Sequence, residues 1–511
     1  MTFHSILFET PEDRIGDNTL EAPAFFVDLN CDQIVAAITA GKEEYNLKPF
    51  FYARLHRASA IKYRHEVMQD FENASLHQRV NSFTQTMREI REYLLRVQKL
   101  HYKEQQQAWF LDAVENYCQA IISLADDLSD SEMKSRGLLG FHGHLMSYAG
   151  SVRFHSLLSE TKKLKVDLAT VEYCILLKGS SFTVRKYEEE TDYSVEVEAT
   201  FAKFKQGAVR DYSVKFSASD DINHIEAKIL EFVAKLYPEV FIALDDFCNR
   251  NGDFLDQTVA AFDREIQFYI AYLDHVAVLE RANLQFCYPS ISVNTEEIYA
   301  DGGFDIALAH KLVSEDTSVI TNDFSLRGKE RILVVSGPNQ GGKTTFARAF
   351  GQLHYLASIG CPVPGREAQL LLFDQLFTHF EKEEKVENLR GKLEDDLLRI
   401  HKILSQATPQ SIIILNEVFT STTIQDETFL SKKVMEKIVE FGLLCVWVTF
   451  VEELASFSPQ TVSMVSTVVS DNPALRTFKV VRQPADGLAY ALAIAQKYRL
   501  TYDSIKERIK S

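Results

Sequence analysis

A glycine-rich loop lies between an apolar run and a helical stretch, and few folds accommodate that order of elements. Residues 331–335 read Arg-Ile-Leu-Val-Val, which is typical of a buried strand, and residues 337–344 then fit the pattern GxxxxGK[ST]. Glycines suit such a loop because its backbone N–H groups must turn inward at φ values that a Cβ penalises. Phe346, Phe350 and Leu353 follow on one face of a helix, whose N-terminus points toward the loop. The pattern therefore predicts a phosphate-binding loop.

The loop carries candidate side chains for phosphate groups and for a metal ion. Lys343 is predicted to reach the β- and γ-phosphates of a nucleotide, and the Thr344 hydroxyl is predicted to bind Mg²⁺. ATP or ADP and Mg²⁺ are therefore the predicted cofactors. The predicted nucleotide-binding residues are Gly337, Pro338, Asn339, Gln340, Gly341, Gly342, Lys343, Thr344 and Thr345.

A second apolar strand, at residues 411–415, ends in Asn416 and Glu417. An aspartate is expected at the first of these two positions. Asn416 can accept a hydrogen bond from a magnesium-bound water but brings no charge, so weaker retention of Mg²⁺ is expected. Thr344 and Asn416 are the predicted metal-binding residues. Glu417 is the catalytic candidate that orients or deprotonates the attacking water, together with Lys343; alternatively, Glu417 is a strand-end carboxylate that caps a helix.

The chain is long enough for more than one domain. Its 511 residues exceed what one hydrophobic core usually organises. Apolar residues follow a seven-residue repeat in two stretches, which predicts either two long helices packed in a lever-like seam or an ordinary helical bundle. These residues are Val80, Phe83, Met87, Ile90, Leu94 and Val97 in the first stretch, and Val259, Phe262, Ile266, Tyr269, Leu273 and Val276 in the second.

Two further regions of the sequence have residue patterns that predict β-strands. Residues 174–217 are rich in β-branched and aromatic side chains that alternate with charge, as at 194–198, which predicts a small antiparallel sheet. Apolar runs at 332–335, 412–415 and 443–448 alternate with helical stretches, which is typical of a parallel sheet covered by helices. The predicted organisation is a short N-terminal segment (1–49), a mainly α lever or core domain (50–300) with a β-rich insertion (about 174–217), and an α/β P-loop domain (301–511).

Composition and charge exclude several classes of protein. The net charge of −17 argues against a chain that coats nucleic acid by bulk positive charge, so any DNA contact is expected to be local. Residues 51–105, with ten Lys or Arg against six Asp or Glu, are one candidate, although such an excess also suits the solvated face of a helix. The sequence has no long uncharged apolar run and no secretory signal pattern, which predicts a cytoplasmic chain with no membrane span. His142 and His144 lack accompanying ligands, so no metal site is expected there.

The motifs together resemble a known family. The string SGPNQGGKTTF, followed by Leu376-Phe377-Thr378 and then by IIILNEVFTSTTIQD, is similar to the ATPase domain of the MutS DNA mismatch-repair family. The resemblance implies an ABC-like ATPase on a core of long lever helices, and it extends loosely upstream to about residue 50. It also implies a head-to-tail homodimer in which the partner's nucleotide is contacted near Gly391 and Asp426, and it implies DNA as a partner.

The chain departs from the family pattern at several positions. Its Phe-x-Glu string, at residues 450–452, lies inside the ATPase region, and about 50 residues precede the helical core, so the N-terminal mismatch-reading domain is expected to be absent. Phe450 occupies the place of the family's phosphate-sensing histidine, Gly391 that of its signature serine, and Asn416 that of an aspartate. Near the adenine base, Val319 or Ile320 stands where the family often has an aromatic residue, unless both belong to the core.

These residues lead to two functional hypotheses. The first is a homodimeric, ATP-gated DNA clamp that hydrolyses ATP slowly and does not read mismatches in the usual way, with contact through the DNA backbone or shape. The second is a non-hydrolysing scaffold that uses ATP as a structural ligand while its helical arms bind a protein.

Overall fold

The computed structural model describes residues 3–13, 21–179, 181–188, 222–293, 296–381, 391–469 and 472–485, with single residues between 193 and 200 and between 502 and 506. The described residues form two compact units. The first contains residues 73–133 and 139–263, and the second contains residues 4–72, 134–138 and those from 264 onward.

The helices and strands are numbered in chain order. The helices are α1 (Cys31–Thr39), α2 (Lys48–Tyr52), α3 (Ala58–Phe71), α4 (Ala74–Val97), α5 (Lys103–Ser129), α6 (Arg136–Ala149), α7 (Val152–Ala169), α8 (His224–Leu236), α9 (Pro238–Arg250), α10 (Gln257–Glu280), α11 (Ile306–Ser314), α12 (Lys343–Ser358), α13 (Lys392–Gln406) and α14 (Ile424–Phe441). The strands are β1 (Tyr173–Lys178), β2 (Ser181–Lys186), β3 (Phe286–Cys287), β4 (Ser290–Ser292), β5 (Glu297–Gly303), β6 (Asn322–Arg327), β7 (Ile332–Ser336), β8 (Val363–Pro364), β9 (Glu367–Leu371), β10 (Leu376–Phe380), β11 (Ile412–Asn416), β12 (Leu444–Val448), β13 (Thr461–Val469) and β14 (Asn472–Arg482). Within the described residues, no helix combines the length and apolar character that a bilayer crossing requires.

The first unit is built mainly from helices. The heptad residues Val80 and Phe83 of α4 are buried, and the Phe83 ring lies 6.1 Å from that of Phe262 at the start of α10. Phe262 also stacks on Phe141 of α6. The helical repeat in the sequence therefore corresponds to buried aromatic packing between α4, α6 and α10.

The β-rich insertion is a two-stranded hairpin in the described residues. β1 pairs with β2 in antiparallel register, with Tyr173 opposite Lys186. Glu196 and Thr200, where the sequence alternation favoured a strand, are helical instead, and the Thr200 hydroxyl donates to the Glu196 carbonyl one turn earlier. Glutamate and alanine favour helices in this stretch, and the alternation of valine with charge did not outweigh that preference. Residues 201–217 of the predicted insertion lie outside the described residues.

The second unit contains a six-stranded sheet with the strand order β10-β11-β12-β7-β13-β14. All neighbouring pairs are parallel except β13 and β14. Every residue of β7, β11 and β12 is buried, which is why these strands read as continuous apolar runs in the sequence. The carboxyl ends of β7, β11 and β12 meet at one edge of the sheet, which is where ligands bind in open parallel sheets.

Residues from before the α/β region also belong to the second unit. The sequence analysis placed the start of this domain at about residue 301, whereas residues 4–72 and 264–300 group with it in the structure. Arg64 of α3 shows the reason, because its buried guanidinium donates to the carbonyls of Leu7 and Ile359 at 3.0 and 2.8 Å. The Arg64 guanidinium also lies 5.0 Å from the ring of Phe268, so four distant stretches share one packed cluster.

Three buried histidines make the stability of the second unit depend on pH. Burial lowers the pKa of His65, His275 and His354 to about 4. In the unfolded chain the histidine pKa is near 6.5, so below pH 6.5 the unfolded state binds protons that the folded state does not. The free energy of unfolding is therefore expected to be at its full value above about pH 6.5 and to fall as the pH decreases toward 4.

The pH effect can be assigned to a single histidine. Urea unfolding of the His354→Gln variant between pH 6.5 and 4.5 is expected to show a slope smaller than that of the wild type by roughly 1 kcal/mol per pH unit. The exposed His401 provides the control, and His401→Gln is expected to keep the wild-type slope. Equal slopes for the wild type and His354→Gln would contradict the assignment.

Candidate functional site

The glycine-rich loop lies between β7 and the N-terminus of α12. Its backbone has positive φ at Gly337, Gln340 and Gly342 (113°, 59° and 93°). A Cβ on Gly341 would lie 2.9 Å from the Pro338 carbonyl and would also strike the Ser466 hydroxyl. The loop conformation therefore requires glycine at some positions for φ and at others for space.

Lys343 lies inside this loop, with its side chain 4% exposed. Its Nζ donates to the carbonyls of Gly337 and Pro338 at 3.0 and 3.2 Å and to Asn339 Oδ1 at 3.4 Å. Glu417 Oε1 is 3.9 Å away. Burial lowers the pKa of the Lys343 ammonium, and the neighbouring Glu417 carboxylate opposes that shift. The three ammonium protons thus point at acceptors around the space that the loop encloses.

The two predicted metal-binding residues are in direct contact. Thr344 Oγ1, at the start of α12, donates to Asn416 Oδ1 at 2.9 Å, and Asn416 ends β11. A hydroxyl and an amide oxygen are oxygen ligands of the kind that Mg²⁺ accepts, so this pair fits a magnesium ion, without an acidic ligand at Asn416.

Glu417 follows Asn416 in an uncommon backbone conformation. Its φ is 53°, and its N–H donates to the Val448 carbonyl at the end of β12 at 2.9 Å. A non-glycine residue pays a conformational cost at this φ, which persists only where neighbouring structure imposes it. The turn keeps the carboxylate a quarter exposed and within 4 Å of Lys343.

Phe450 covers the other side of Lys343. The Lys343 Nζ lies 4.5 Å from the centroid of the Phe450 ring, and Phe450 itself is 46% exposed. The ring face attracts the ammonium but offers no hydrogen bond. Phe450 therefore adds an apolar wall at the position where the family that the sequence resembles has a histidine.

Strands β13 and β14 contribute residues that the sequence analysis missed. Ser466 packs beneath the loop, Arg476 Nε donates to the Asn339 carbonyl at 3.1 Å, and the Phe478 carbonyl lies 3.4 Å from where a Cβ on Gly342 would be. Phe478 has a φ of 59° and is half exposed. No short motif marks these residues, because the parallel β13–β7 pairing brings Ser466 to the loop and the antiparallel β13–β14 pairing brings Arg476 and Phe478.

The segment suggested for the adenine base lies next to β14. Lys479 Nζ donates to the Thr321 carbonyl, and Asn322 Nδ2 donates to the Phe478 carbonyl at 3.2 Å. Ile320, in this segment, is 38% exposed. The structure thus places the exposed Phe478 ring on a strand that adjoins the segment carrying Val319 and Ile320.

The two candidate dimer-site residues lie at helix starts. Gly391 precedes α13, and its carbonyl accepts from the Asp395 N–H. Asp426 lies in the first turn of α14, where its carboxylate accepts from the Thr423 hydroxyl at 2.9 Å. Burial, with a further effect from the Glu417 charge, raises the pKa of Glu427 in the first turn of α14. The hydrogen bonds described for Gly391 and Asp426 join them to residues within one helical turn of the same helix start.

Comparison with known proteins gives one family-model match and several relatives. Residues 333–508 match the family model described as MutS domain V. The chain is 25% identical to the DNA mismatch repair protein MutS of Thermotoga maritima over 284 residues, which cover 54% of this chain and 34% of that protein. It is 27% identical to the Endonuclease MutS2 of Thermus thermophilus over 198 residues, which cover 39% of this chain and 26% of that protein. It is 33% identical to the DNA mismatch repair protein msh-2 of Neurospora crassa over 150 residues, which cover 29% of this chain and 16% of that protein. The chain thus matches about a third or less of the length of these relatives.

Proposed function

We propose that this chain, which belongs to the MutS family, binds ATP with Mg²⁺ at the loop of residues 337–344 and hydrolyses it slowly. The observation that carries the proposal is the convergence of Lys343, Thr344, Asn416 and Glu417 at one edge of the six-stranded sheet. A loop with this pattern after a strand and before a helix is a P-loop, and the proposed fold of the second unit is accordingly an ABC-like P-loop ATPase.

The residues of the loop and of the adjacent strands would each bind a different part of the magnesium nucleotide or act on the attacking water. The loop N–H groups and the N-terminus of α12 would hold the phosphates, and Lys343 would exchange its loop acceptors for phosphate oxygens. Thr344 and Asn416 would hold Mg²⁺, which neutralises phosphate charge when bound. Glu417 would orient or deprotonate the attacking water. Phe478, which is exposed on β14 beside the loop, would contact the base.

Slow hydrolysis follows from what the site lacks. Asn416 supplies no charge to the metal, and Phe450 places an apolar ring beside Lys343. Catalysis of phosphoryl transfer depends mainly on positioned charge and hydrogen bonds, so each replacement removes part of that stabilisation. ATP binding depends less on these two positions and more on the loop and Lys343.

We further propose that two copies close around nucleotide and act as an ATP-gated clamp on DNA. Gly391 and Asp426 would complete the partner's site, and nucleotide would favour the closed dimer by binding it better than the open one. DNA contact would involve backbone or shape rather than sequence. The names of the relatives, which include DNA mismatch repair proteins, support DNA as the partner.

The proposed function is tested first by binding and then by DNA association. Calorimetry with a slowly hydrolysed ATP analogue and millimolar Mg²⁺ is expected to show saturable binding, and its absence would overturn the proposal. Electrophoretic mobility of duplex, branched and single-stranded DNA at low salt is expected to change with the chain, and to change further with ATP. If no DNA shifts under any of these conditions, the clamp is excluded.

A second candidate function is a scaffold that binds ATP without turning it over. The apolar contact of Phe450 with Lys343 and the uncharged Asn416 favour this alternative, since both remove groups that hydrolysis uses. Steady-state phosphate release separates the two functions: a rate above background supports the ATPase, and no rate above background together with ATP binding supports the scaffold.

A further inference from the structure

Residues 21–39 form a segment that docks on α12, the helix that follows the phosphate loop. Leu29 of this segment is fully buried, and a Cβ on Gly351 of α12 would lie 2.6 Å from Leu29 Cδ1. Gln352 Nε2 donates to the Leu29 carbonyl at 2.8 Å. Glycine at position 351 thus allows this docked segment to approach the nucleotide helix closely.

Asp28 is the residue of the docked segment that lies between α12 and the sheet. Its backbone carbonyl accepts from Arg348 Nε at 3.0 Å, and its carboxylate Oδ2 accepts from the Thr378 hydroxyl at 2.6 Å. Arg348 lies one helical turn after Thr344 on α12, and Thr378 lies in the edge strand β10. Asp28 therefore joins the helix that carries Thr344 to the strand beside β11.

The contacts of Asp28 complete a ring of contacts that includes the metal-binding pair. Phe380 of β10 lies opposite Asn416 in the parallel register, and the Arg348 guanidinium lies 5.5 Å from the Phe380 ring. Asn416 in turn accepts from Thr344. The ring runs from Thr344 to Asn416, across to β10, through Thr378 to Asp28, and back through Arg348 to α12.

We propose that Asp28 is a positioning residue for the magnesium-nucleotide site. Through its bond with the Thr378 hydroxyl, Asp28 holds β10 and β11 at a fixed distance from α12. This inference rests on the proposed function of the same site. Thr344 and Asn416 must present their oxygens to one cation at the same time, and their separation is set by the distance between α12 and β11. Without the Asp28–Thr378 bond, this link between β10 and α12 is lost, and part of the binding energy of Mg²⁺ is used to order Thr344 and Asn416.

The test measures how much Mg²⁺ the chain needs, rather than only its turnover. Each full-length variant is titrated with Mg²⁺ at a fixed concentration of a slowly hydrolysed ATP analogue, and the thermal midpoint is recorded. Thr378→Val keeps the side-chain shape without the donor, and Asp28→Ala removes the acceptor. Both are expected to raise the Mg²⁺ concentration at half-maximal stabilisation by about tenfold, a coupling within the usual range for linked sites.

Conservative variants and a neighbouring acid provide the controls. Thr378→Ser and Asp28→Asn keep a hydrogen bond between the two side chains. Their Mg²⁺ concentration at half-maximal stabilisation is expected to stay within about twofold of the wild-type value, so the tenfold change is tied to the hydrogen bond and not to a general loss of stability. Asp32→Ala, at an exposed position of α1, is expected to have no effect. The double variant Asp28→Ala with Thr378→Val is expected to match the single variants, since both remove one bond.

Two results would overturn the inference and are distinguishable. If the wild type is stabilised by the analogue with Mg²⁺ while Thr378→Val and Asp28→Ala require the same Mg²⁺ concentration, Asp28 does not position the site and the proposed function stands. If the wild type shows no stabilisation at any Mg²⁺ concentration, the proposed function fails and the inference fails with it. Thermal midpoints without nucleotide identify any variant that does not fold, and Thr378→Val then decides the result.

Discussion

Lys343→Met is expected to weaken ATP binding by at least about 100-fold. The ammonium donates to three acceptors at the loop, and in the bound state those donors would turn to phosphate oxygens. Hydrogen bonds to charged groups each contribute roughly 1.5–3 kcal/mol, and the loss of two of them corresponds to a factor of about 100 or more. Methionine keeps an unbranched apolar side chain against Phe450, so the change removes the charge with little loss of volume. Calorimetry with the ATP analogue measures the dissociation constant.

Lys402→Met serves as the matched control for this change. Lys402 is exposed on α13, and its replacement is expected to leave the dissociation constant within twofold. The thermal midpoint of Lys343→Met without nucleotide shows whether the loop and α12 still fold. A folded Lys343→Met protein with wild-type affinity would mean that the loop does not hold the phosphates through this residue.

Glu417→Gln is expected to reduce the rate of phosphate release by about 100-fold or more and to leave ATP affinity within about threefold. General base catalysis contributes roughly 10²–10⁴ to such rates, and glutamine keeps the side-chain shape without the basic carboxylate. The fixed backbone of Glu417, held by its N–H bond to Val448, should be retained in the variant. Steady-state phosphate release and calorimetry on the same samples separate turnover from binding.

Glu427→Gln tests whether any nearby acid would have the same effect. Glu427 is close enough for the Glu417 charge to contribute to its raised pKa, yet it lies on α14 rather than at the end of β11. Its replacement is expected to keep turnover within threefold. Equal losses for both variants would point to a general electrostatic effect and would remove Glu417 as the base.

Much of the second unit could be predicted from the sequence, because its apolar runs correspond to buried strands and its loop motif corresponds to the observed strand–loop–helix order. β7, β11 and β12 are covered on both faces, so each gives an apolar run, and the loop pattern fixes the strand and helix on either side of it. The contact of Thr344 with Asn416 follows from the rule that the carboxyl ends of parallel strands share one edge.

The features that the sequence did not predict depend on distant pairings. Ser466, Arg476 and Phe478 reach the loop only because β13 lies beside β7 and β14 folds back on β13. Asp28 reaches β10 because its segment docks on α12. In the stretch around Glu196, the alternation of valine with glutamate favours a strand while glutamate and alanine favour a helix, so the two local signals disagree.

The packing of Ser466 against Gly341 has a consequence for how this sequence can vary. A glycine in such a loop is usually attributed to the approach of a phosphate, yet at position 341 the first atoms that a methyl group would meet belong to the protein itself. Substitutions at 341 and 466 are therefore not independent, since a larger residue at 466 would push on the loop from below. A larger residue at 466 should be tolerated only if the loop shifts, whereas any side chain at 341 would still meet the Pro338 carbonyl, even beside a smaller residue at 466.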